Sequence, residues 1–470
     1  MEIVHVSAEC YPMAKAGGLA DVVGALPKYQ NKIGHIAKVV MPMHRTTFLH
    51  QQQWEVTHKG GIHPAGNYVE YTVIKEKNNI LGFDLYCIDI LGVLDRDKIY
   101  GYDDDSVRFI YFQYAVVDWL SNWSHRPDVV HVHDYHAGLI PFLMKHTWPY
   151  RSLSSIKTVL TIHNAQYQGW MPWSNATFLP DWDSWKAGLL EWNDQINPLA
   201  SAIKCADKVN TVSPTYMKEV MYNANGLEAL FQYEMGKCSG ILNGIDHQVW
   251  NSNTDTLIYA NYDFNSHVEG KLKNKKRICL DFGFHEDLPL FVFIGRLVGE
   301  KAADILAESL QQAYRHYGHR FSCMILGSGD SAVEYQLSQL NHQWFGYYNS
   351  RFEYNESLSH LLYAGADFLL MPSRVEPCGL NQLYAMRYGT VPVVRRTGGL
   401  NDTVTDIGDW QGFGICFNDV SVHDLVYSIG RALALYAQPN LLNDARKMMM
   451  KINHSWERSA KDYIDLYNAI

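Results

Sequence analysis

Arg296 and Lys301 stand five residues apart in Arg296-Leu297-Val298-Gly299-Glu300-Lys301, just after the apolar run Leu290–Ile294. Two cations on a loop at a strand's end can neutralise charge developing on a leaving diphosphate, although a solvated charged loop would carry the same residues. A second cluster, Pro372-Ser373-Arg374-Val375-Glu376-Pro377-Cys378-Gly379-Leu380, precedes a helix-like stretch with Leu380, Leu383, Tyr384 and Arg387. Here Glu376 either faces a ligand or caps the helix, while the helix amides and Gly379 can receive hydroxyls or phosphate. Thr397-Gly398-Gly399-Leu400 repeats the strand, glycine, helix design and could hold a phosphate in the same way.

Three further clusters lie in the first half. Lys15-Ala16-Gly17-Gly18-Leu19-Ala20-Asp21 sets two glycines before a helix, so backbone N–H groups could approach an anion that Lys15 also reaches. A tight strand-to-helix turn is the plain alternative. His131-Val132-His133-Asp134-Tyr135-His136-Ala137-Gly138 invites a metal reading. Strand alternation argues against it, because neighbouring side chains point to opposite faces and cannot all converge. Asp134 and His136, where strand gives way to helix, suit contact with a sugar, and His131 or His133 suits a satisfied core position. Thr161-Ile162-His163-Asn164 repeats the design one strand later, with His163 offering a donor and an acceptor nitrogen. The aromatics Tyr167, Trp170, Trp173, Trp182, Trp185 and Trp192 could stack on pyranose rings or simply pack an insertion.

What positions these residues is a recurring unit: short apolar strand, Gly- or Pro-bearing turn, helical period. Ile3–Ser7 is followed by Leu19, Val22, Val23 and Leu26 at i, i+3, i+4, i+7 spacing, with Pro27 expected to kink or stop that helix. Further strands are expected at Lys38–Met41, Asp128–His131, Thr158–Ile162 and Lys208–Val212. A second series is expected at Leu290–Ile294, Phe321–Leu326, Asp367–Met371 and Val391–Val394. Alternating strands and helices imply parallel sheets, and two series imply two doubly wound domains facing a cleft, with ligands at the carboxyl ends of the strands. The hinge is expected near Gly240–Asn243, and Lys271–Arg277 reads as a solvated surface helix.

Composition narrows the function classes. At 470 residues the chain exceeds the roughly 250–300 at which single cores stop growing. With 47% hydrophobic and 19% charged residues it reads as an ordinary globular protein. A net charge of -9 disfavours general attraction to nucleic acid or an anionic membrane, so cations for a phosphate must be local. The start, Glu2-Ile3-Val4-His5-Val6-Ser7, lacks a secretion-signal pattern, and the eight cysteines are scattered without a C-x-x-C pair. These features suggest the cytoplasm.

Taken together, the motifs resemble the bacterial glycogen synthase and plant starch synthase family. The likeness rests on K-x-G-G-L-A-D-V at Lys15–Val22, H-x-H-D-x-H-A-G-L at His131–Leu139 and H-N-x-x-Y-Q-G at His163–Gly169. To these it adds T-V-S-P-x-Y at Thr211–Tyr216, G-I-L-N-G-I-D at Gly240–Asp246 and P-S-R-x-E-P-C-G-L-x-Q-L-Y-A-M-R-Y-G-T at Pro372–Thr390. It runs on to Ser455-Trp456 and the last helix. The resemblance implies a GT-B fold: residues 1–240 as an acceptor-side Rossmann-like domain, joined by a C-terminal helix 455–470, and residues 241–454 as the nucleotide-sugar domain. It implies retaining transfer of glucose from ADP-glucose to the non-reducing end of an α-1,4-glucan, without metal or cofactor. By the same resemblance Lys15 and Gly18 face the donor phosphates, Arg296 and Lys301 neutralise the departing ADP, and Thr397, Gly398 and Gly399 cradle the diphosphate. Asp134, His163, Asn243, Glu376, Cys378 and Gly379 surround the sugar, and Gly17, His136, Asn164 and Leu380 join them as candidate substrate-binding residues.

Several positions depart from the family pattern. Ala302-Ala303 follows Lys301 where Gly is usual, Tyr135 replaces Trp after Asp134, and Asn453-His454 precedes Ser455 where an acidic residue is common. N-x-L-K-x-G-I reads Asn197-Pro198-Leu199-Ala200-Ser201-Ala202-Ile203, and Tyr384 stands where some related transferases carry a second carboxylate. Two alternatives therefore stay open: a divergent transferase using UDP-glucose or another acceptor, and a non-catalytic glucan-binding relative.

Overall fold

The computed structural model describes all 470 residues, Met1–Ile470. The chain divides into two compact units: Met1–Gly244 with Trp456–Ile470, and Ile245–Ser455.

The first unit is built on β1 (Glu2–Val6), β2 (Ile36–Pro42), β3 (Trp54–Ile62), β4 (Val69–Glu76), β5 (Asp84–Asp89), β6 (Val129–His133) and β7 (Lys157–Ile162), followed by a small hairpin of β8 (Glu191–Trp192) and β9 (Gln195–Ile196), then β10 (Lys208–Thr211) and β11 (Cys238–Gly240). Nine of these form one sheet in the order β11-β10-β7-β6-β1-β2-β5-β4-β3. All neighbours are parallel except β3/β4 and β4/β5. That antiparallel edge was not foreseen, because Lys, Glu and Thr alternate there with apolar residues on a half-exposed face. β1 pairs with β2 on one side and β6 on the other, so the winding reverses at β1/β6 and the loops leaving these strands diverge. The Lys15 and Asp134 clusters lie on those two loops.

Helix Gly18–Lys32 buries Leu19, Val22, Val23 and Leu26, the expected stripe, but Pro27 does not stop it. Pro27 is itself buried, and the packed face continues to Tyr29 and Gln30, so packing outweighs one missing backbone hydrogen bond. The C-terminal helix Trp456–Asn468 places Trp456, Ala460, Tyr463, Ile464 and Tyr467 in one core with Ile3, Val22, Leu26 and Val129.

The second unit carries β12 (Leu290–Ile294), β13 (Ser322–Leu326), β14 (Tyr348–Arg351), β15 (Phe368–Met371), β16 (Val391–Arg395) and β17 (Ile415–Phe417). They form one parallel sheet in the order β14-β13-β12-β15-β16-β17. Every residue of β13 and β15 is buried, as a parallel sheet covered on both faces requires. Here the winding reverses at β12/β15, the strands that lead into the Arg296 and Glu376 loops.

The solvated-helix expectation for Lys271–Arg277 fails at three positions of helix His267–Phe282, where Lys271, Asn274 and Lys275 are buried. Lys271 Nζ donates to the carbonyls of Ala364 and Tyr388, both at 3.0 Å, and to Thr390 Oγ1 at 2.8 Å. Lys275 Nζ pairs with Asp367 Oδ2 at 2.8 Å, and Arg446 meets the other oxygen at 2.6 Å. These lysines take the place of apolar residues by saturating carbonyls and a carboxylate, which a count of charges along the sequence does not reveal. No helix is long and apolar enough to cross a membrane.

Candidate active site

In the second unit the chain leaves β12 through Gly295, and a Cβ at Gly327 would stand 1.8 Å from the Gly295 carbonyl oxygen. Only glycine permits that backbone crossing, which fixes where the Arg296 loop begins. Lys301, in the short turn Gly299–Lys301, puts Nζ 2.7 Å and 2.5 Å from the two carboxylate oxygens of Glu376. Ser373 Oγ donates to Glu376 Oε2 at 2.9 Å. The carboxylate is thus held by a cation and a hydroxyl, and the following helix Asn381–Arg387 has no side-chain cap. The capping alternative for Glu376 is removed.

Arg374 stitches the two loops together. Its guanidinium grips Asp304 through two hydrogen bonds, at 2.5 Å and 2.8 Å, and donates to the Gly299 carbonyl at 2.7 Å. Its amide donates to the Glu300 carbonyl at 2.8 Å. Asn381 Nδ2 reaches the Ile294 carbonyl at 2.6 Å, tying the Glu376 loop to the end of β12. Arg296 is 57% exposed, with Glu300 Oε2 at 3.5 Å, so its guanidinium is not committed to the fold.

Glycine is sterically required at the neighbouring turns. Gly379 has φ 74, and Cβ atoms on Gly398 and Gly399 would fall 2.1 Å from the carbonyl oxygens of Glu376 and Cys378. The Gly399 amide donates to the carbonyls of Glu376 and Pro377, both at 3.1 Å. Gly398 and Gly399 therefore seat the start of helix Gly398–Thr403 on the Glu376 loop, and the Gly399 N–H is taken up inside the protein. Thr397 and Cys378 are buried beside it, and Leu380 is half-buried.

In the first unit Asp134 adopts φ 55 and ψ -173, a conformation few side chains tolerate, at the end of β6. Its carboxylate accepts the His163 amide at 2.7 Å. Burial, with Glu9 nearby, outweighs the amides of His163 and Asn164 and pushes its pKa up to about 7. Burial takes His163 down to about 3, so the ring is neutral. His163 Nε2 meets His133 Nδ1 at 3.1 Å. Asn243 is buried with no partner for Oδ1. His136 departs from the sugar-contact expectation: it lies inside an aromatic cluster, centroids 4.8 Å from Tyr100 and 3.7 Å from Tyr135, with Nδ1 buried and unpartnered.

The Lys15 loop differs most from expectation. Glu9 Oε2 accepts the amides of Ala16 and Gly17 at 2.5 Å and 3.0 Å, while Oε1 accepts Tyr100 OH at 2.7 Å. A carboxylate of the protein thus takes the Gly17 N–H that the sequence offered to phosphate. Lys15 pairs with Asp21 at 2.6 Å, on the surface. Neither Gly17 nor Gly18 is sterically required, since a Cβ at either would meet nothing within 4 Å.

The histidines do not all diverge. His131 and His133 share one face of β6 and stack at 4.3 Å, with His5 of β1 at 4.9 Å and 5.3 Å from them. Positions two apart on a strand point the same way, so alternation brings this pair together, while Asp134 and His136 lie beyond the end of β6. Each ring nitrogen of the three is hydrogen-bonded: His5 to His133 and Gln30, His131 to Tyr467 and Thr161, His133 to His5 and His163. Glu9, Tyr100, His5 and Gln30 went unread in the sequence; only adjacency of β1 and β6 at the switch point would have drawn attention to His5.

Among the aromatics, Tyr167, Trp170 and Trp185 are exposed, whereas Trp192 donates to the Gly226 carbonyl and Trp182 packs on Phe142. A cavity of about 190 Å³ is lined by Asp105, Phe109, Tyr135, Gly169, Trp170 and Pro198. Ala200 and Ala202, the departures in Pro198–Cys205, are fully buried in a helix capped by Asn197 Oδ1 on the Ala200 amide at 2.9 Å. Tyr384 lies ring to ring with Trp250 at 3.7 Å, which places it in a packed stack.

Known proteins match along the whole chain. The starch synthase catalytic domain family matches residues 2–233, and glycosyl transferases group 1 matches residues 275–449. Glycogen synthase of Flavobacterium johnsoniae is 49% identical over 470 residues, covering 100% of this chain and 99% of the relative. Glycogen synthase of Geobacillus thermodenitrificans is 35% identical over 482 residues, covering 100% and 98%. Among solved structures, the catalytic domain of starch synthase IV from Arabidopsis thaliana, bound to ADP and acarbose, superposes with a TM-score of 0.89 at 29% identity, covering 100% of this chain and 99% of that one. Its two-domain GT-B fold of Rossmann-like parallel sheets is the one described above. On sequence and fold together, the chain belongs to the glycogen and starch synthase family of glycosyltransferases.

Proposed function

We propose that this glycosyltransferase moves glucose from ADP-glucose to the non-reducing 4-hydroxyl of an α-1,4-glucan with retention at the anomeric carbon. The observation that carries the reading is the pairing of Lys301 with buried Glu376 at the β12/β15 switch point, with Arg296 exposed on the same loop. Two cations at strand carboxyl ends suit a leaving diphosphate, and a carboxylate suits positive charge at the anomeric carbon. ADP bound to the Arabidopsis relative supports an adenosine donor, and acarbose supports a glucan-like acceptor.

In this mechanism the bond from the anomeric carbon to the diphosphate oxygen breaks as Arg296 and Lys301 stabilise the departing ADP. Glu376 supports the oxocarbenium-like sugar electrostatically, and the acceptor 4-hydroxyl forms the new bond on the face the phosphate leaves. The hydroxyl proton passes to the leaving phosphate, so no covalent enzyme intermediate is needed. Asp134 holds the His163 and Asn164 backbone, with His163 and Asn243 addressing sugar hydroxyls. Gly379 and Cys378 supply backbone amides, and Lys15 with Gly18 addresses the donor phosphates. Trp170 and the adjoining cavity suit a glucan chain.

The test is incubation with labelled ADP-glucose and glycogen, followed by linkage and anomer analysis, with UDP-glucose in competition. New α-1,4 linkages from ADP-glucose support the reading. Faster turnover of UDP-glucose, an inverted product, or no transfer would each reject it.

A further inference from the structure

Beneath His163 runs a buried chain of hydrogen bonds that the reaction scheme does not use. His163 Nε2 lies 3.1 Å from His133 Nδ1, His133 Nε2 lies 3.0 Å from His5 Nδ1, and His5 Nε2 lies 2.8 Å from Gln30 Oε1. Gln30 continues through Nε2 to Tyr467 OH at 3.2 Å, and Tyr467 OH meets His131 Nδ1 at 2.7 Å. The run ends where His131 Nε2 meets Thr161 Oγ1 at 2.7 Å. It draws on β1, β6, β7, the first helix and the C-terminal helix, and His5, Gln30, His131 and His133 are fully buried.

We propose that Gln30, His5 and His133 are positioning residues that fix the His163 imidazole as its Nε2–H tautomer and so present a bare Nδ1 acceptor to a sugar hydroxyl. The argument is one of polarity. A carboxamide oxygen only accepts, so with Gln30 Oε1 facing His5 the proton of His5 is on Nε2. A neutral ring carries one proton, so His5 Nδ1 is bare and must accept from His133 Nε2–H. The same step passes outward: His133 Nδ1 is bare and accepts from His163 Nε2–H. Burial keeps every ring in this series neutral, with His5 held down at about 4 and His163 at about 3. On the far side Gln30 Nε2 donates to Tyr467 OH, whose proton goes to His131 Nδ1, so every donor in the run points the same way.

His163 Nδ1 is the one ring nitrogen in the run that no protein group takes up. In this state His163 receives a hydrogen bond from substrate and gives none, which makes it a selector of hydroxyl donors and not an acid. Tautomer control of this kind matters at active sites because the wrong tautomer leaves geometry intact while removing function. The inference rests on the proposed sugar-facing role of His163.

The test uses the full-length protein with ¹⁵N-labelled histidine, reading the His163 tautomer by NMR alongside kcat and KM. His163→Ala assigns the resonances. His133→Leu and Gln30→Leu break the run next to His163 and at its far end. His133→Gln keeps an oxygen to accept from His163 and an amide to donate to His5. The wild type should show Nε2–H at His163. Both leucine variants should mix the tautomers and lower kcat about tenfold or more, with KM for the donor changed less than about twofold. His133→Gln should recover most of the loss, which a packing role alone would not produce. An Nδ1–H tautomer in the wild type would overturn the proposal, as would a leucine pair that leaves tautomer or kcat unchanged while His163→Ala is slow. His163→Ala turning over at the wild-type rate would instead remove the sugar-facing role beneath it.

Discussion

Lys301 and Glu376 are paired through both carboxylate oxygens, at 2.7 Å and 2.5 Å, on loops leaving adjacent parallel strands. Glu376 is 5% exposed and the Lys301 side chain 25%, so removing the cation strands a buried carboxylate. Lys301→Met is expected to lower stability by about 1–3 kcal/mol and transfer by about 10²-fold or more. Adding Glu376→Gln should return much of the stability and none of the activity. Urea unfolding alongside the transfer assay separates the two roles. Equal recovery of both would mean that the pair serves folding alone.

Acid should destabilise the first unit steeply. His5, His131, His133 and His163 are all held below the ordinary histidine value by burial, so the folded chain resists protonation where the unfolded chain accepts it. Their contribution is complete above about pH 6.5 and is lost below it, at about 1.4 kcal/mol per pH unit for each group. Asp134 acts oppositely: its raised value means that stability from this group falls as pH rises from the ordinary carboxylate range through about 7. The histidines outnumber it, so the net slope is positive. Urea midpoints between pH 7.5 and 5.5 that stay level would contradict this.

Glu9 couples the Lys15 loop to Asp134. Its negative charge helps raise the Asp134 carboxyl to about 7, after burial itself. Glu9→Gln should therefore lower the Asp134 value, since ionisation no longer meets a like charge. The glutamine oxygen in the Oε2 position keeps both the Ala16 and Gly17 amides, and its Nε2 turns the third contact round by donating to Tyr100 OH, so stability should change by less than about 1 kcal/mol. Carboxyl NMR on ¹³C-labelled aspartate reads the shift. An Asp134 titration that does not move would break the proposed coupling.

Much of this was legible in the sequence because parallel strands buried on both faces leave continuous apolar runs, as at Leu290–Ile294 and Phe368–Met371. Glycines at backbone crossings were equally readable in type, although whether Gly399 serves a ligand or a neighbouring loop is decided only by the carbonyls of Glu376 and Pro377 beside it. What the sequence withheld were long-range polar pairings. Glu9 meeting Gly17, Lys271 meeting Tyr388, and His5 joining His133 all depend on which strands lie adjacent, and no local pattern encodes that. Pro27 shows the converse, a strong local signal overridden by tertiary packing.

Ala302 occupies the position after Lys301 where the resemblance leads one to expect glycine, and it adopts the left-handed conformation that glycine would favour, φ 52 and ψ 36. The loop shape is thus retained at a backbone cost of about 1 kcal/mol, offset by about 0.8 kcal/mol from its fully buried methyl group. Ala302→Gly should consequently change stability by less than about 0.5 kcal/mol, because the two effects oppose each other. Ala302→Val cannot balance them. A β-branched side chain resists positive φ and has no space at a fully buried site, so a loss of about 2 kcal/mol or more is expected, with Lys301 displaced from Glu376 and transfer slowed. Thermal unfolding and kcat measured on both variants decide the matter. A valine tolerated without loss would show that the turn carrying Lys301 is not held in the left-handed form in solution.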